Sequence, residues 1–251
     1  MRTITTLTAM LALAGAIGGC ASPKEMPAIT ASLSRAGLAH GESQRRQLEK
    51  KLTDQDISDL LDVRVQAKLP TSLAVAKVGC DYSGAQPHLA DFEPGELDAW
   101  EKVVRAVPKL RGVQPVTTLA IGGGTPTPSL HELRTAAARL NCELLLVYLQ
   151  ADSSVDNAND ASALYWTIIG LWTVPGDTLE HRTLMQAVVL DCRTGLILGT
   201  AVGDKQLKTD CPAAFRSQRH TDLSRQATAD ALAQLHQSAA RSLAAIAAAA
   251  K

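Results

Sequence analysis

Three apolar runs between Cys142 and Asp204 constrain this chain more than any other feature. They are Cys142–Gln150, Ala163–Asp177 and Leu184–Asp204, dense in Val, Ile, Leu, Tyr and Trp. Turn formers bound them: an Asp/Ser/Asn tract, Pro175-Gly176-Asp177 and Arg193-Thr194-Gly195. Runs of this length and content predict sheet strands over 142–150, 163–173, 183–192 and 195–204. The last pair should close on a tight turn in which Gly195 supplies a positive φ.

Upstream, strand and helix patterns alternate. Thr53 is a candidate N-cap for a short helix carrying Ile57, Leu60, Leu61 and Val65, which Pro70 stops. Ser72–Gly79 is apolar on both alternations, as in a strand buried on both faces. Glu96–Leu110 places Leu97, Trp100, Val103, Val104 and Val107 at helical spacing, so Trp100 belongs to the core. Val113–Ile121 reads as a strand that Pro115 suits to an edge. Ser129 and Glu132 form a capping box for the helix Leu130–Leu140. After Asp204 comes a connector, then a helix from Asp222 to about Ala250 with Leu232, Leu235, Ala239, Leu243 and Ile246 on one face. The expectation is an α/β fold: a mixed sheet, β-α-β-α-β followed by antiparallel hairpins, and a C-terminal helix packed on the sheet.

The first twenty residues carry an address. A positive start at Arg2 precedes the apolar core Leu7–Ile17, which is shorter than a bilayer span, and Gly18-Gly19 leads into Cys20. This resembles the bacterial lipoprotein signal, in which the cysteine is acylated and becomes the first mature residue. The resemblance implies a signal peptide over 1–19, a lipid on Cys20, and, with Ala21-Ser22 following, the outer membrane with the globular part facing the periplasm. Residues 20–51 are rich in Ala, Ser, Pro, Gly and charge and read as a tether, leaving 52–251 as a single α/β domain. Charge is balanced at 25 basic and 25 acidic residues and aromatics make up 3%, so no footprint for nucleic acid is present.

Chemical motifs are sparse. Gly122-Gly123-Gly124 lacks the Lys-Ser/Thr of a phosphate loop, and Asp152–Asp160 lacks the Gly and closing Glu of a calcium loop. The six histidines are scattered and no Cys-x-x-Cys occurs, so neither a metal site nor any other cofactor is expected. Beyond Cys20 the cysteines are Cys80, Cys142, Cys192 and Cys211, an even set that an oxidising compartment would pair. With six consecutive strands, Cys80 and Cys192 fall on one rim of the sheet, Cys142 and Cys211 on the other. The expected disulfides are therefore Cys80–Cys192 and Cys142–Cys211.

Leu164–Gly170 followed by Val174-Pro175-Gly176 resembles the signature stretch of the rhombotarget lipoprotein family, and Asn141–Gln150 and Ala187–Leu198 are similar in placement. The resemblance implies an envelope lipoprotein of unestablished biochemical role, found alongside a rhomboid-type protease and its substrates, with no catalytic residues to carry over. At the level of fold, the element order also looks like the α/β module of periplasmic lipoproteins that assemble secretion pores or activate cell-wall synthases.

The functional expectation is a non-enzymatic adaptor or assembly factor, held to a membrane by its N-terminal lipid. It would meet an envelope protein near Tyr165–Asp177, with exposed members of Tyr165, Trp166 and Trp172 as anchors. Strand alternation would put Tyr165 on one face and Trp166 and Trp172 on the other, at least one face being core. A second reading is a small-ligand or hydrolytic site in the loops after Cys80 and Gln150, where Asp81, Asp91, Glu93 and Asp152 would converge. A third is a self-associating structural protein of the envelope.

Overall fold

The computed structural model describes residues 54–79, 88–122 and 128–249. Cys20, the tether, Thr53, Cys80 and Asp81 lie outside them. The order is α1 (Asp54–Asp62), β1 (Thr71–Gly79), β2 (His88–Leu89), α2 (Glu96–Arg105), β3 (Leu110–Pro115), α3 (Thr118–Ile121), α4 (Leu130–Arg139) and β4 (Cys142–Ala158). A 3-10 segment (Asp160–Trp166), α5 (Ile168–Thr173), β5 (Asp177–Asp191), β6 (Ile197–Cys211), a 3-10 turn (Ala213–Phe215) and α6 (Arg216–Ala249) follow. The sheet runs β2-β1-β4-β5-β6, with β3 also on β1. β1 is parallel to β3 and β4; the β4–β5 and β5–β6 pairs are antiparallel. This is the expected mixed α/β sheet with its C-terminal helix.

Side-chain alternation along β4 builds two cores. Leu144, Leu146 and Tyr148 join Leu73, Val75, Trp100, Met185, Leu235 and Leu243 beneath α2 and α6. Leu145, Val147 and Leu149 join Ala74, Ala76, Leu133 and Ala136 beneath α4. The capping box that starts α4 is present, Ser129 N–H donating to the Glu132 carboxylate at 2.7 Å and Glu132 N–H to Ser129 Oγ at 3.2 Å.

The buried positions of α6 recur every fourth residue: Leu223, Ala227, Ala231, Leu235, Ala239, Leu243 and Ala247. A four-residue spacing overshoots the 3.6-residue turn, so the stripe winds around the helix and follows the twisted sheet. Its alanines let the backbone come close to β6. A Cβ on Gly203 would lie 2.0 Å from the Ala231 carbonyl oxygen. The helix also covers outward-facing backbone of this edge strand: Ser242 donates to Thr200 O (2.7 Å), while Val202 and Asp204 N–H donate to Ser238 and Gln234 (3.4 and 3.3 Å). Sheet edges left open invite unwanted pairing, and α6 closes this one locally.

The structure corrects four expectations. Val113–Ile121 is not one strand, because pairing ends after Pro115 and Thr117 starts the short α3. The tract 151–158 is strand, not loop: Ala151–Ala158 pairs with Asp177–Leu184. Its polar side chains satisfy one another across the ladder, as when Thr183 Oγ1 donates to Asp152 at 2.5 Å. β6 runs on to Cys211, and α6 begins at Arg216 rather than at Asp222.

The fourth correction concerns 163–173, which is a 3-10 segment and a helix. Thr167 caps α5, accepting from Gly170 N–H at 2.9 Å and donating to Leu164 O. Only glycine fits at 170, where a Cβ would sit 2.0 Å from Leu164 O. With that strand removed, every later strand reverses direction relative to the expectation. β5 runs antiparallel to β4, and Cys192 N–H donates to Glu143 O beside Cys142. Cys211 faces Asp177, itself opposite Ala158, the far end of β4. A 17-residue strand separates the ends by roughly 50 Å, so a Cys142–Cys211 disulfide is ruled out. Among the described residues Cys142, Cys192 and Cys211 form no disulfide with one another, and the expected Cys80–Cys192 pair has one member outside the described residues.

Candidate functional site

The 3-10 segment, α5 and the turn before α6 together close one end of the domain. They are stapled to the sheet by polar contacts. Asn159 accepts from Ala161 N–H and donates to Pro175 O at 2.8 Å. Tyr165 OH donates to Cys211 O at 3.4 Å. Arg216 Nε donates to the Asp177 carboxylate at 2.9 Å. Asp177 is buried, so the guanidinium compensates a charge that burial would otherwise disfavour.

These staples are used up on the sheet side. Facing outward are Trp166 (85% exposed), Ile169 (75%) and Trp172 (57%), with Leu164, Leu171 and Phe215 beside them. Two of the chain's three tryptophans thus lie on its surface, at one tip. Isolated exposed apolar residues are ordinary, but a contiguous set of large ones marks an interaction surface. Of the anchors expected from sequence, Trp166 and Trp172 are exposed, whereas Tyr165 is half-buried and points inward. That split arises from a helical turn rather than from strand alternation, and among the described side chains neither helical piece buries a large apolar group in the core. Sequence reasoning missed Ile169, which looked like strand core, and Phe215, which lay in an apparent connector. Their surface position depends on the local turn at Thr167 and on where β6 stops.

Two polar clusters lie elsewhere. Near the carboxyl end of β1 and beside the first half of β4, the buried Glu96 carboxylate accepts from Lys77 Nζ at 2.9 Å, Tyr148 OH at 2.5 Å and Glu93 N–H at 2.9 Å. Burial, with the Glu96 carboxylate adding to it, pushes the Tyr148 hydroxyl far above its ordinary value. Trp100 packs on both Tyr148 and His236, with ring centroids 5.6 and 4.4 Å away. The second cluster lies on the arm formed by the paired Ala151–Ala158 and Asp177–Leu184 stretches of β4 and β5: His181 Nδ1 lies 2.9 Å from Ser154 Oγ, and its Nε2 3.5 Å from Asp152. These are the residue types of a nucleophilic triad, but the His181 ring is 1% exposed and Asp152 makes its short bond to Thr183. The arrangement braces the β4–β5 arm under α6.

Of the carboxylates expected after Cys80 and Gln150, Asp81 lies outside the described residues and the other three are not gathered around one point. Although β1 and β4 are neighbours, Asp91 and Glu93 are exposed and Asp152 belongs to the His181 cluster. Among the described residues no group of His, Cys, Asp and Glu could hold a metal ion, and no helix is long and apolar enough to cross a membrane.

No family model and no curated protein matches the chain. Solved structures do resemble it. One is the C-terminal domain of LpoB from Salmonella enterica, at 13% identity over 60% of this chain and 93% of that one, TM-score 0.31. Another is the PelC dodecamer from Paraburkholderia phytofirmans, at 12% identity over 69% and 92%, TM-score 0.31. A lipoprotein from Neisseria meningitidis matches at 12% identity over 63% and 99%, TM-score 0.30.

Proposed function

We propose that this protein is a lipid-anchored envelope lipoprotein, held by Cys20 to the outer membrane and facing the periplasm. In this reading it acts as a non-enzymatic adaptor that presents the Trp166–Ile169–Trp172 tip to a protein partner. The carrying observation is the exposed apolar tip itself. Its position supports the reading: the tip sits at the start of α6, while residues 65–69, which follow α1 and lead back to the tether, lie beside the last turns of that helix. A 34-residue helix is roughly 50 Å long, so the tip is held about that far from residues 65–69. Aromatic anchors of this kind supply most of the energy of an interface when a partner's pocket encloses them. The match of Leu164–Gly170 to the rhombotarget signature falls on the same tip and is part of this proposal.

The test is a crosslinked affinity pull-down of the full-length protein from native envelopes, beside Cys20→Ala and a Trp166→Asp/Ile169→Asp variant. The adaptor reading expects one protein in near-equal amount with the wild type, lost with the tip variant and reduced with Cys20→Ala. Recovery of the same proteins by wild type and tip variant, or of nothing but the protein itself, contradicts it.

A further inference from the structure

The end of the domain opposite the tip carries a second apolar feature. A groove of about 490 Å³ runs between residues 65–69, the starts of β4 and β6, and the last turns of α6. Its lining is Val65, Ala67 and Leu69 on one side, Leu144 and Leu198 on the floor, and Ala245, Ile246 and Ala249 on the other side. Every one of these side chains is aliphatic. The volume falls within the ~300–1,000 Å³ typical of small-molecule sites. Such sites normally add a few polar side chains that orient a ligand's polar groups. This lining supplies no such side chain, its polar surface being backbone alone, so it suits a ligand whose buried part is a hydrocarbon chain.

The wall formed by residues 65–69 is fixed in place. Asp191, fully buried at the end of β5, accepts Gln66 N–H at 2.6 Å and Ala67 N–H at 3.0 Å, along with Arg193 N–H at 2.8 Å. These bonds hold the Asp191 carboxyl below its ordinary value, against the burial that opposes them. The carboxylate latches the strap across the sheet rim and leaves its aliphatic side chains toward α6. The groove is thus a built feature with a rigid wall.

The strap leads back through α1 to the N-terminal part of the chain, and that part brings an aliphatic chain of its own. We infer that the groove between Val65–Leu69 and Ala245–Ala249 holds one acyl chain of the lipid on Cys20. The inference rests on the lipid-anchor reading. The 33 residues from Ala21 to Thr53 span up to about 110 Å when extended, more than enough for the acyl chain to reach the groove. Tethering also raises its local concentration to the order of millimolar. Each methylene moved from water into the groove adds to the affinity, so a chain of ordinary length competes with solvent whenever it leaves the bilayer. The adaptor would then remain soluble at its anchored end while it reaches for a partner.

The test uses the full chain, labelled in cells with a palmitate analogue bearing a diazirine on its alkyl chain, irradiated in envelopes and digested with trypsin. The expected product joins the acylated Cys20–Lys24 peptide to the Ser242–Lys251 peptide or to a peptide within 65–77. Ala245→Trp fills the groove from an exposed position and abolishes that product; Val65→Asp, which puts a charge on the exposed wall, does the same. Circular dichroism confirms that both variants fold. Acylated Cys20–Lys24 joined only to phospholipid, a groove peptide joined to phospholipid instead of to Cys20–Lys24, or a product indifferent to both substitutions would each overturn the inference and leave the anchor reading standing. A Cys20–Lys24 peptide without acyl chains would overturn both.

Discussion

Trp172 meets Phe215 edge to face, with ring centroids 5.9 Å apart and planes at 81°. The contact joins α5 to the turn before α6, so that pieces separated by the whole β5–β6 hairpin share one apolar surface. The two tryptophans of the tip therefore differ in role. Trp166 is exposed and should be replaceable by Asp within about 0.5 kcal/mol of wild-type stability. Trp172→Ala loses the aromatic pair and should cost about 0.5–1.5 kcal/mol. Urea unfolding of the two variants reads the difference, and a larger loss for Trp166→Asp would mean that the tip is packed rather than presented.

The Lys77–Glu96–Tyr148 cluster predicts a stronger effect. Glu96→Ala leaves a buried ammonium and a buried hydroxyl without their acceptor. Breaking one side of a buried pair costs about 3–5 kcal/mol, a large part of the ~5–15 kcal/mol that holds a domain together. Lys77→Met combined with Glu96→Leu removes both charges and should recover much of that loss. If the double variant is as unstable as Glu96→Ala alone, the cluster is not acting as a charge pair.

Legibility from sequence followed the range of the interactions involved. The β1, α2, α4 and early β4 assignments rest on local periodicity, and Ser129–Glu132 capping involves neighbours three residues apart, so all were readable. The segment 163–173 was not, because its β-branched and aromatic residues look like a buried strand. What decides against a strand is the close contact of Gly170 with the Leu164 carbonyl, which only a folded chain reveals. That single misreading reversed every later strand and with it the cysteine pairing. Residues 151–158 looked like a loop because polar side chains in a strand are informative only once their cross-strand partners are known. In the candidate site, Trp166 and Trp172 stood out by type, while Ile169 and Phe215 did not.

The corrected strand directions place Cys192 next to Cys142. Burial pushes the two thiols up to about 12 and about 11, respectively, and the proximity of Cys142 adds to the shift at Cys192. Both should react slowly with iodoacetamide at neutral pH in the native state. Oxidation with diamide followed by peptide mapping should link Cys142 to Cys192. A Cys142–Cys211 link in the folded protein would contradict the register.

Gly203 and Gly112 give a paired packing test. A Cβ at 203 meets backbone at Ala231 and Leu235, whereas one at 112 meets only the Glu101 side chain at 3.4 Å. Gly203→Ala must push α6 off the sheet and should cost at least about 1–3 kcal/mol; Gly112→Ala should be near neutral. Equal thermal midpoints for the two would show that α6 is not seated on β6 as described.

Acid should weaken the fold before carboxylates titrate. His181 and His236 both sit below the ordinary histidine value of 6.5 because burial disfavours the charged ring. Asp152 opposes the shift at His181 and His220 adds to it; Glu96 opposes it at His236. Above pH 6.5 the rings are neutral whether folded or not. Below it the unfolded chain takes up protons first, so stability falls by at most about 1.4 kcal/mol per pH unit for each ring until the folded-state values are reached. Urea midpoints between pH 7 and 5 should decline, with a shallower slope in His181→Gln. A flat profile would show that these rings protonate in place.

The central claim is that the tip binds a protein. Its most direct measurement is photocrosslinking in intact envelopes from a photoreactive amino acid substituted for Trp166 in the lipidated full-length chain, with the same substitution at the exposed Thr200 of β6 as control. The adaptor account predicts one protein adduct from position 166, absent from position 200 and abolished by adding Ile169→Asp. Adducts only to lipid, or the same adducts from both positions, would contradict it.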